Sequence, residues 1–127
     1  MIPRLEHANV TVTDPDATAA WLVEVFGWHI RWQGPSKDKG RSVHVGTDDS
    51  YIALYTRADA VQTGLSSYDT VGMLNHLAVF TDDIDAVEAK VAAAGFTPGN
   101  HADYAPGRRF YFHDRDGLEW EVASHQS

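Results

Sequence analysis

Apolar residues follow two different periods along this chain, and the change from one to the other predicts its elements. Residues 5–13 carry an apolar side chain at every second position, which is the period of a strand with one buried face. Asp14 and Pro15 are typical of a helix start, apolar residues then recur at helical spacing, and Gly27 supplies a stop. Further strands are predicted at 28–33, 42–45 and 51–55, with a polar connection over 34–40. The first half is therefore predicted to form one strand, one helix and then three more strands.

The same order of elements returns in the second half. The segments 5–17 and 74–86 match at a shift of 69 residues, and both copies keep a histidine, His7 and His76. The pattern predicts a strand at 74–81, a helix at about 84–94 and strands at about 97–101, 108–112 and 118–123. Two copies indicate a pseudo-symmetric domain, since a solenoid needs about three or more units. We expect an α+β fold of two βαβββ modules in one domain over residues 1–127, with modules at about 4–56 and 73–124 and a linker at about 57–72.

Composition narrows the possible partners and ligands. Ten basic residues against eighteen acidic ones give a net charge of −8, which disfavours nucleic acid and anionic membranes as partners. Because the chain has no cysteine, any bound metal must be held by histidine, carboxylate or water. The first residues lead directly into a strand pattern, and no apolar run approaches the roughly 18 residues of a membrane span, so we expect a cytoplasmic protein.

The polar faces of the predicted sheets carry the candidate chemistry. If the two sheets curl toward each other, they enclose a cavity that contains two histidines and a carboxylate, either Glu119 or Glu121. Two imidazoles and one carboxylate, with open positions left over, suit a divalent ion: Fe, Mn, Zn or Ni. The other residues on these faces are Asn9, Tyr51, Tyr55, Ala78, Phe80 and Tyr111.

At these residues the sequence resembles the vicinal oxygen chelate superfamily, which includes glyoxalase I, fosfomycin-resistance and bleomycin-resistance proteins and extradiol dioxygenases. LEHANVTVTDPDATAAWLVEVFGW and LNHLAVFTDDIDAVEAKVAAAGF resemble the two family openings, and FHDRDGLEWEV resembles its closing motif. The resemblance implies curled mixed sheets around a metal cavity, with His7, His76 and Glu121 at ligand positions. Glu121 is favoured over Glu119 because it aligns with Ala53 in the repeat, at the position where the family can place a fourth ligand.

Ala53 and Tyr111 refine what the resemblance implies. Glyoxalase I has a glutamate at the position of Ala53, and alanine can neither bind metal nor accept a proton, so glyoxalase I activity is not expected. Tyr111 lies ten positions before Glu121, an offset at which related enzymes place an active-site tyrosine. Its phenol could hydrogen-bond a metal-bound oxygen or act as an acid, and the alternative is an aromatic side chain that only lines the cavity. Asn9, Tyr51, Tyr55 and Arg109 are predicted to contact substrate. His29, His44, His113 and His125 are assigned no function.

The expected function is that of a metal-dependent enzyme whose small substrate binds the ion through two adjacent oxygens. A divalent ion with one glutamate has a net charge near +1, which suits an anionic substrate. Epoxide opening, ring-cleaving oxygenation and isomerase or lyase chemistry all fit, because fold does not fix chemistry. The resemblance also implies a homodimer. The alternatives are a metal-free protein that sequesters an aromatic ligand, as bleomycin-resistance proteins do, and an accessory module without turnover.

Overall fold

A four-stranded mixed sheet with one helix forms the framework of each of two units. The computed structural model describes residues 1–105 and 107–125, and the chain divides into unit 1, Met1–Gln62, and unit 2, Thr63–Ser127. Both units have the order βαβββ, so the predicted α+β class with two such modules is confirmed. The prediction of a single domain over 1–127 includes residues 106, 126 and 127, which lie outside the described residues, and it stays a prediction.

Unit 1 contains β1 (His7–Thr11), α1 (Pro15–Phe26), β2 (His29–Ser36), β3 (Gly40–Gly46) and β4 (Tyr51–Thr56). The strand order is β1-β4-β3-β2, with β1 parallel to β4 and the other pairs antiparallel. The side chain of Asp14 accepts a hydrogen bond from the Ala17 amide, and Gly27 ends α1 in the left-handed conformation at a φ of 71°. The predicted start and stop of this helix are therefore confirmed.

The segment 34–40, predicted as a polar connection, is largely strand. β2 continues to Ser36 and β3 begins at Gly40, with a short 3-10 turn, Lys37–Lys39, between them. Pro35 is tolerated because β2 is an edge strand, where one side of the backbone needs no partner. A Cβ atom at Gly40 would lie 2.4 Å from the Thr56 carbonyl oxygen, so this close approach of strands requires glycine.

Unit 2 contains β5 (His76–Phe80), α2 (Ile84–Ala93), β6 (Gly99–Tyr104), β7 (Gly107–His113) and β8 (Glu119–Ala123). Its strand order, β5-β8-β7-β6, repeats that of unit 1, with β5 parallel to β8. The predicted linker contains one further turn, Ser67–Asp69, which belongs to unit 2. Among residues 1–105 and 107–125, no helix has the length and apolar character needed to cross a membrane.

The two cores differ in their side chains. Unit 1 is filled mainly by aliphatic residues, whereas three aromatic side chains of unit 2, Phe110, Phe112 and Trp120, are almost fully buried. The Trp120 indole N–H donates to Oδ2 of the buried Asp114 at 3.1 Å, and Asp114 Oδ1 accepts from the amides of Asp116 and Leu118. The first aspartate of the closing motif therefore organises the turn that precedes β8.

Candidate functional site

In unit 1, the sheet face opposite α1 is lined with aromatic rings. His7 on β1 is in register with Tyr51 on β4, and His44 on β3 is in register with Ala53. The ring centroids of His7 and Tyr51 are 4.8 Å apart, those of His44 and Tyr51 are also 4.8 Å apart, and Trp32 lies 5.1 Å from His44. His44, which the sequence analysis assigned no function, thus belongs to the same cluster as His7. Burial, followed by the nearby His7, lowers the pKa of His44.

His7 is anchored through one of its two ring nitrogens. Nδ1 lies 2.9 Å from Glu6 Oε1, and the Tyr51 hydroxyl donates to the same carboxylate oxygen at 3.1 Å. The hydrogen bond with His7, followed by that from Tyr51, lowers the pKa of Glu6. These contacts occupy Nδ1 and leave Nε2 as the nitrogen that can meet a ligand.

The remaining unit 1 predictions fall on the same sheet. Asn9 is exposed on β1 and is in register with Ala53, which is 1% exposed and offers no donor atom to a metal. The Tyr55 hydroxyl donates to the Lys37 carbonyl at 2.7 Å, so it is already engaged within the fold. The roles of Asn9, Tyr51 and Tyr55 in substrate binding stay predictions.

In unit 2, the corresponding face is acidic. His76 is in register with Glu119, and Glu121 lies between Ala78 and Tyr111 on the neighbouring strands. The distance from His76 Nε2 to Glu121 Oε1 is 3.0 Å, and Glu121 is 5% exposed. Two of the three predicted metal ligands are therefore adjacent within one unit, one of them a buried carboxylate.

Arg109 is paired with this buried carboxylate. Its Nη1 donates to Glu121 Oε2 at 2.5 Å, and its guanidinium carbon lies 5.1 Å from the centre of the Tyr104 ring. Arg109 Nε is buried without a hydrogen-bond partner among the described residues. The guanidinium offsets the charge of Glu121 and leaves Oε1 as the oxygen that faces His76. Substrate contact by Arg109 stays a prediction.

The other side of the His76 ring is held by a residue that the sequence analysis missed. The Tyr68 hydroxyl lies 3.2 Å from His76 Nδ1 and donates a short hydrogen bond to Glu119 Oε1, while His76 Nδ1 is 3.4 Å from the same oxygen. The hydrogen bond to Glu119 raises the pKa of Tyr68 to about 12. Tyr68 lies in a segment without hydrophobic period, so no sequence signal placed it at this face.

Tyr111 lies beside the His76 and Glu121 pair. Its ring meets the His76 ring edge-on, with centroids 5.9 Å apart. Burial, followed by the charge of Glu121, raises the pKa of Tyr111, so the phenol stays protonated at neutral pH. At this position it can donate a hydrogen bond or a proton.

The donor atoms of unit 2 fit a divalent ion. A carboxylate only accepts hydrogen bonds, so the Tyr68 hydroxyl donates to Glu119 and its oxygen accepts the Nδ1 proton of His76. The lone pairs of His76 Nε2 and Glu121 Oε1 then face each other across 3.0 Å, an arrangement that requires a proton or a cation between them. In octahedral coordination, two neighbouring ligands that each lie about 2.1 Å from the metal are about 3.0 Å apart.

The third predicted ligand, His7, belongs to unit 1. Within the described residues, no group of three or more histidine, aspartate and glutamate side chains is arranged to hold a metal ion. The structure therefore brings His76 and Glu121 together, while the participation of His7 stays a prediction.

Comparisons with known proteins identify relatives of this chain. Residues 4–122 match the family model described as Glyoxalase/Bleomycin resistance protein/Dioxygenase superfamily, which confirms the predicted family. A search of curated protein sequences finds no significant match.

Solved structures share the fold at low sequence identity. A glyoxylase/bleomycin resistance protein/dioxygenase domain from Frankia sp. EAN1pec is 24% identical with a TM-score of 0.81, covering 98% of this chain and 93% of that one. The fosfomycin resistance protein FosX from Mesorhizobium loti is 24% identical with a TM-score of 0.73, over 97% and 92% of the two chains. A variant of FosX from Listeria monocytogenes, complexed with Mn(II) and 1S,2S-dihydroxypropylphosphonic acid, is 20% identical with a TM-score of 0.74, over 97% and 93%. At these identities the likeness establishes the fold alone.

Proposed function

Because the chain belongs to the Glyoxalase/Bleomycin resistance protein/Dioxygenase superfamily, we propose that it is a metal-dependent enzyme in which His7, His76 and Glu121 hold a divalent ion. The observation that carries this proposal is the 3.0 Å approach of His76 Nε2 to the buried Glu121 Oε1, two acceptor atoms that need a proton or a cation between them. The Mn(II) bound by the Listeria relative makes manganese the first ion to test.

Charge at the site favours an anionic substrate with neighbouring oxygens. Arg109 offsets the carboxylate of Glu121, so a divalent ion held by two neutral imidazoles keeps a net positive charge. A substrate that carries a carboxylate, a phosphonate or a deprotonated hydroxyl would complete the coordination and neutralise the site. The phosphonate ligand of the Listeria relative has both features, since it combines an anionic group with adjacent hydroxyls.

The protein groups have distinct tasks in this proposal. A bound ion supplies Lewis-acid polarisation of the substrate oxygens. Tyr111, whose pKa is raised by burial, donates a hydrogen bond or a proton to an oxygen that gains charge in the reaction. Arg109 holds Glu121 Oε2, so that Oε1 remains directed at the His76 side. Because Ala53 replaces the second carboxylate of glyoxalase I, proton transfer in the manner of that enzyme is not part of the proposal.

Elemental analysis tests the metal directly. Protein purified without added metal or chelator, and the same protein reconstituted with Mn(II), should contain about one equivalent, which His7→Ala, His76→Ala removes. A matched control is His29→Ala, His101→Ala, which also removes one histidine per unit. Those two histidines pair with Asp48 and Glu88 rather than with the proposed site, so the control should keep its metal.

A metal-free binding protein is the second candidate, and the aromatic cluster of unit 1 favours it. Trp32 is 47% exposed beside the rings of His44 and Tyr51, and such a surface can stack against a flat ligand. Absence of metal from wild-type protein even after reconstitution, together with quenching of tryptophan fluorescence by aromatic compounds, would favour this candidate. The proposed homodimer is tested separately, by light scattering at micromolar concentration.

A further inference from the structure

Both proposed histidine ligands have their Nδ1 atom anchored by one glutamate and one tyrosine. In unit 1, Glu6 Oε1 lies 2.9 Å from His7 Nδ1 and accepts from the Tyr51 hydroxyl at 3.1 Å. In unit 2, the Tyr68 hydroxyl lies 3.2 Å from His76 Nδ1 and donates to Glu119 Oε1. The same three groups, imidazole, carboxylate and phenol, therefore meet at the Nδ1 side of each ring.

The two sets are assembled from different places in the repeat. Tyr51 and Glu119 occupy the same position, each in register with its histidine on the neighbouring parallel strand. The second residue of each pair lies before the histidine in the sequence. It is Glu6, one residue before His7, in unit 1 and Tyr68, eight residues before His76, in unit 2. The shared register position carries a tyrosine in unit 1 and a glutamate in unit 2, whereas the repeat does not relate Glu6 to Tyr68, because Asn75 stands 69 residues after Glu6. Simple copying of one module does not produce this arrangement, so a shared requirement at Nδ1 explains it better.

The requirement follows from imidazole chemistry. A neutral histidine carries one ring proton, and the group that accepts that proton decides which nitrogen keeps its lone pair. A carboxylate at Nδ1, directly or through a phenol oxygen, holds the proton there and leaves Nε2 free to bind a metal. An additional hydrogen bond also fixes the rotation of the ring. Glu119, which the sequence analysis weighed as a ligand, therefore has a different use.

We propose that the pairs Glu6 with Tyr51 and Tyr68 with Glu119 are positioning residues that hold His7 and His76 in the tautomer whose Nε2 is available to a metal. The metal part of this statement rests on the proposed function, whereas the tautomer is a property of the metal-free protein. The proposal assigns Tyr51 an anchoring role, and it assigns Tyr68 and Glu119 a role that the predicted ligand set lacked.

Nitrogen-15 NMR of the histidine rings in metal-free protein tests the positions of the ring protons. We expect a proton on Nδ1 of both His7 and His76, and at His76 a further proton between Nε2 and Glu121 Oε1, where a metal would take its place. In the double variant Tyr68→Phe, Glu119→Leu, His76 should lose its Nδ1 proton and keep the one at Nε2, and the His7 signal should not change. Glu6→Leu should alter His7 alone. The single variant Glu119→Gln keeps an acceptor oxygen, so its His76 ring signals should match those of the wild-type protein.

A second readout measures Mn(II) affinity by electron paramagnetic resonance of the free ion. Loss of an outer hydrogen-bond partner of a metal-bound histidine typically weakens metal binding about 10- to 100-fold, and we expect this range for Tyr68→Phe, Glu119→Leu. The matched control is Glu88→Leu, which removes the carboxylate partner of His101 and should change only the His101 signals.

The two readouts separate this proposal from the proposed function. If no metal binds to wild-type protein but the tautomers shift as described, the anchoring stands and the metal function fails. If metal binds while Nδ1 of His7 and of His76 carries no proton in wild-type protein, or if the variants change neither the Nδ1 proton nor the metal affinity, the anchoring is wrong.

Discussion

The polar faces of units 1 and 2 belong to sheets of the same topology but carry different side chains, mainly aromatic in unit 1 and acidic in unit 2. Position 53 in unit 1 is a buried alanine among the rings of His44 and Tyr51, whereas its counterpart Glu121 is a buried carboxylate held by His76 and Arg109. Each face keeps one histidine with an anchored Nδ1. The proposed function therefore assigns its charged ligand to unit 2 and one imidazole to unit 1, whose own face is aromatic.

The framework beneath the faces has diverged much less. An aspartate caps the helix in both units, and an arginine on the third strand binds the aspartate two residues further on with two hydrogen bonds. These links are Arg41 to Asp16 in unit 1 and Arg108 to Asp85 in unit 2. The repeat thus preserves the contacts that join helix to sheet, and it varies the residues that face a ligand.

The largest expected difference concerns glyoxalase chemistry. With methylglyoxal, glutathione and each divalent metal in turn, lactoylglutathione formation should not exceed the uncatalysed rate, because Ala53 offers no carboxylate for metal binding or proton transfer. The assay follows absorbance of the thioester. Robust, metal-dependent turnover would show that glyoxalase chemistry does not need a carboxylate at position 53. The difference between Ala53 and Glu121 would then not explain the activity.

Metal affinity should depend on position 121 and not on position 53. Glu121→Gln removes the anionic ligand, and we expect Mn(II) affinity to fall by more than the about 10- to 100-fold that loss of an outer partner of a ligand costs. Ala53→Ser, at the equivalent position of unit 1, should leave the affinity within about twofold of wild type. Equilibrium titration with Mn(II) measures both, and equal losses in the two variants would argue against the asymmetry.

The turn before the last strand should respond to Trp120 with a particular pH dependence. Trp120→Phe removes the hydrogen bond to Asp114, and leaving that buried carboxylate short of a donor should cost about 1–3 kcal/mol, to which the smaller ring adds a cavity cost. Burial already raises the pKa of Asp114 above its ordinary value of 3.8, and loss of the indole N–H raises it further. Because the pKa of Asp114 is raised in the folded protein, ionisation of this carboxyl group lowers the free energy of unfolding, and it does so more strongly in the variant. The loss of unfolding free energy in the variant relative to wild type should therefore shrink as the pH falls toward 4 and Asp114 becomes protonated.

The control for this prediction is Ile52→Val in unit 1, since Ile52 and Trp120 are equivalent in the two registers. Ile52→Val should lower the free energy of unfolding by about 0.5–1.5 kcal/mol, and this loss should not depend on pH. Urea unfolding at several pH values measures both variants. A Trp120→Phe deficit that grows on acidification would contradict the assignment of Asp114.

The smallest effects should come from the shared arginine–aspartate links. Asp16→Asn and Asp85→Asn should lower the midpoint of thermal unfolding slightly and equally, since exposed ion pairs contribute little. The hydrogen bond from the arginine lowers the pKa of each aspartate below 3.8, so the contribution is present above that pH and is lost as the pH falls. Asp82→Asn, outside these links, is the control. A large fall in the unfolding midpoint for only one of the two variants would show that the two arginine–aspartate links are not equivalent.

Periodicity and the repeat were sufficient to predict the order of elements, the start and stop of the first helix, and the face on which His76 and Glu121 lie. Periodicity alone could not distinguish Glu119 from Glu121, because residues two apart on a strand share a face, and the repeat favoured Glu121 through its alignment with Ala53. The distances separate them, with Glu121 at Nε2 and Glu119 toward Nδ1 of His76. The edge strand through Pro35 was also missed, because proline is excluded only where both sides of a strand are paired.

Two contacts at the site left no signal in the sequence. Tyr68 reaches His76 from a segment without a hydrophobic period, so nothing fixed its position before the chain was folded. Arg109 was predicted to contact substrate, but its diagonal relation to Glu121 depends on a register in which Arg109 lies opposite Ala123. Long polar side chains can reach several neighbours from one strand position, and the choice among them is made by the folded structure.

The most direct test of the metal site is a crystal structure of protein grown with Mn(II), with anomalous scattering used to locate the ion. We predict one ion about 2.2 Å from His76 Nε2, Glu121 Oε1 and a His7 Nε2, contributed by the same chain or by a second copy. An anomalous map with no ion at His76 and Glu121, in a crystal where Nε2 donates directly to Oε1, would contradict the proposed function.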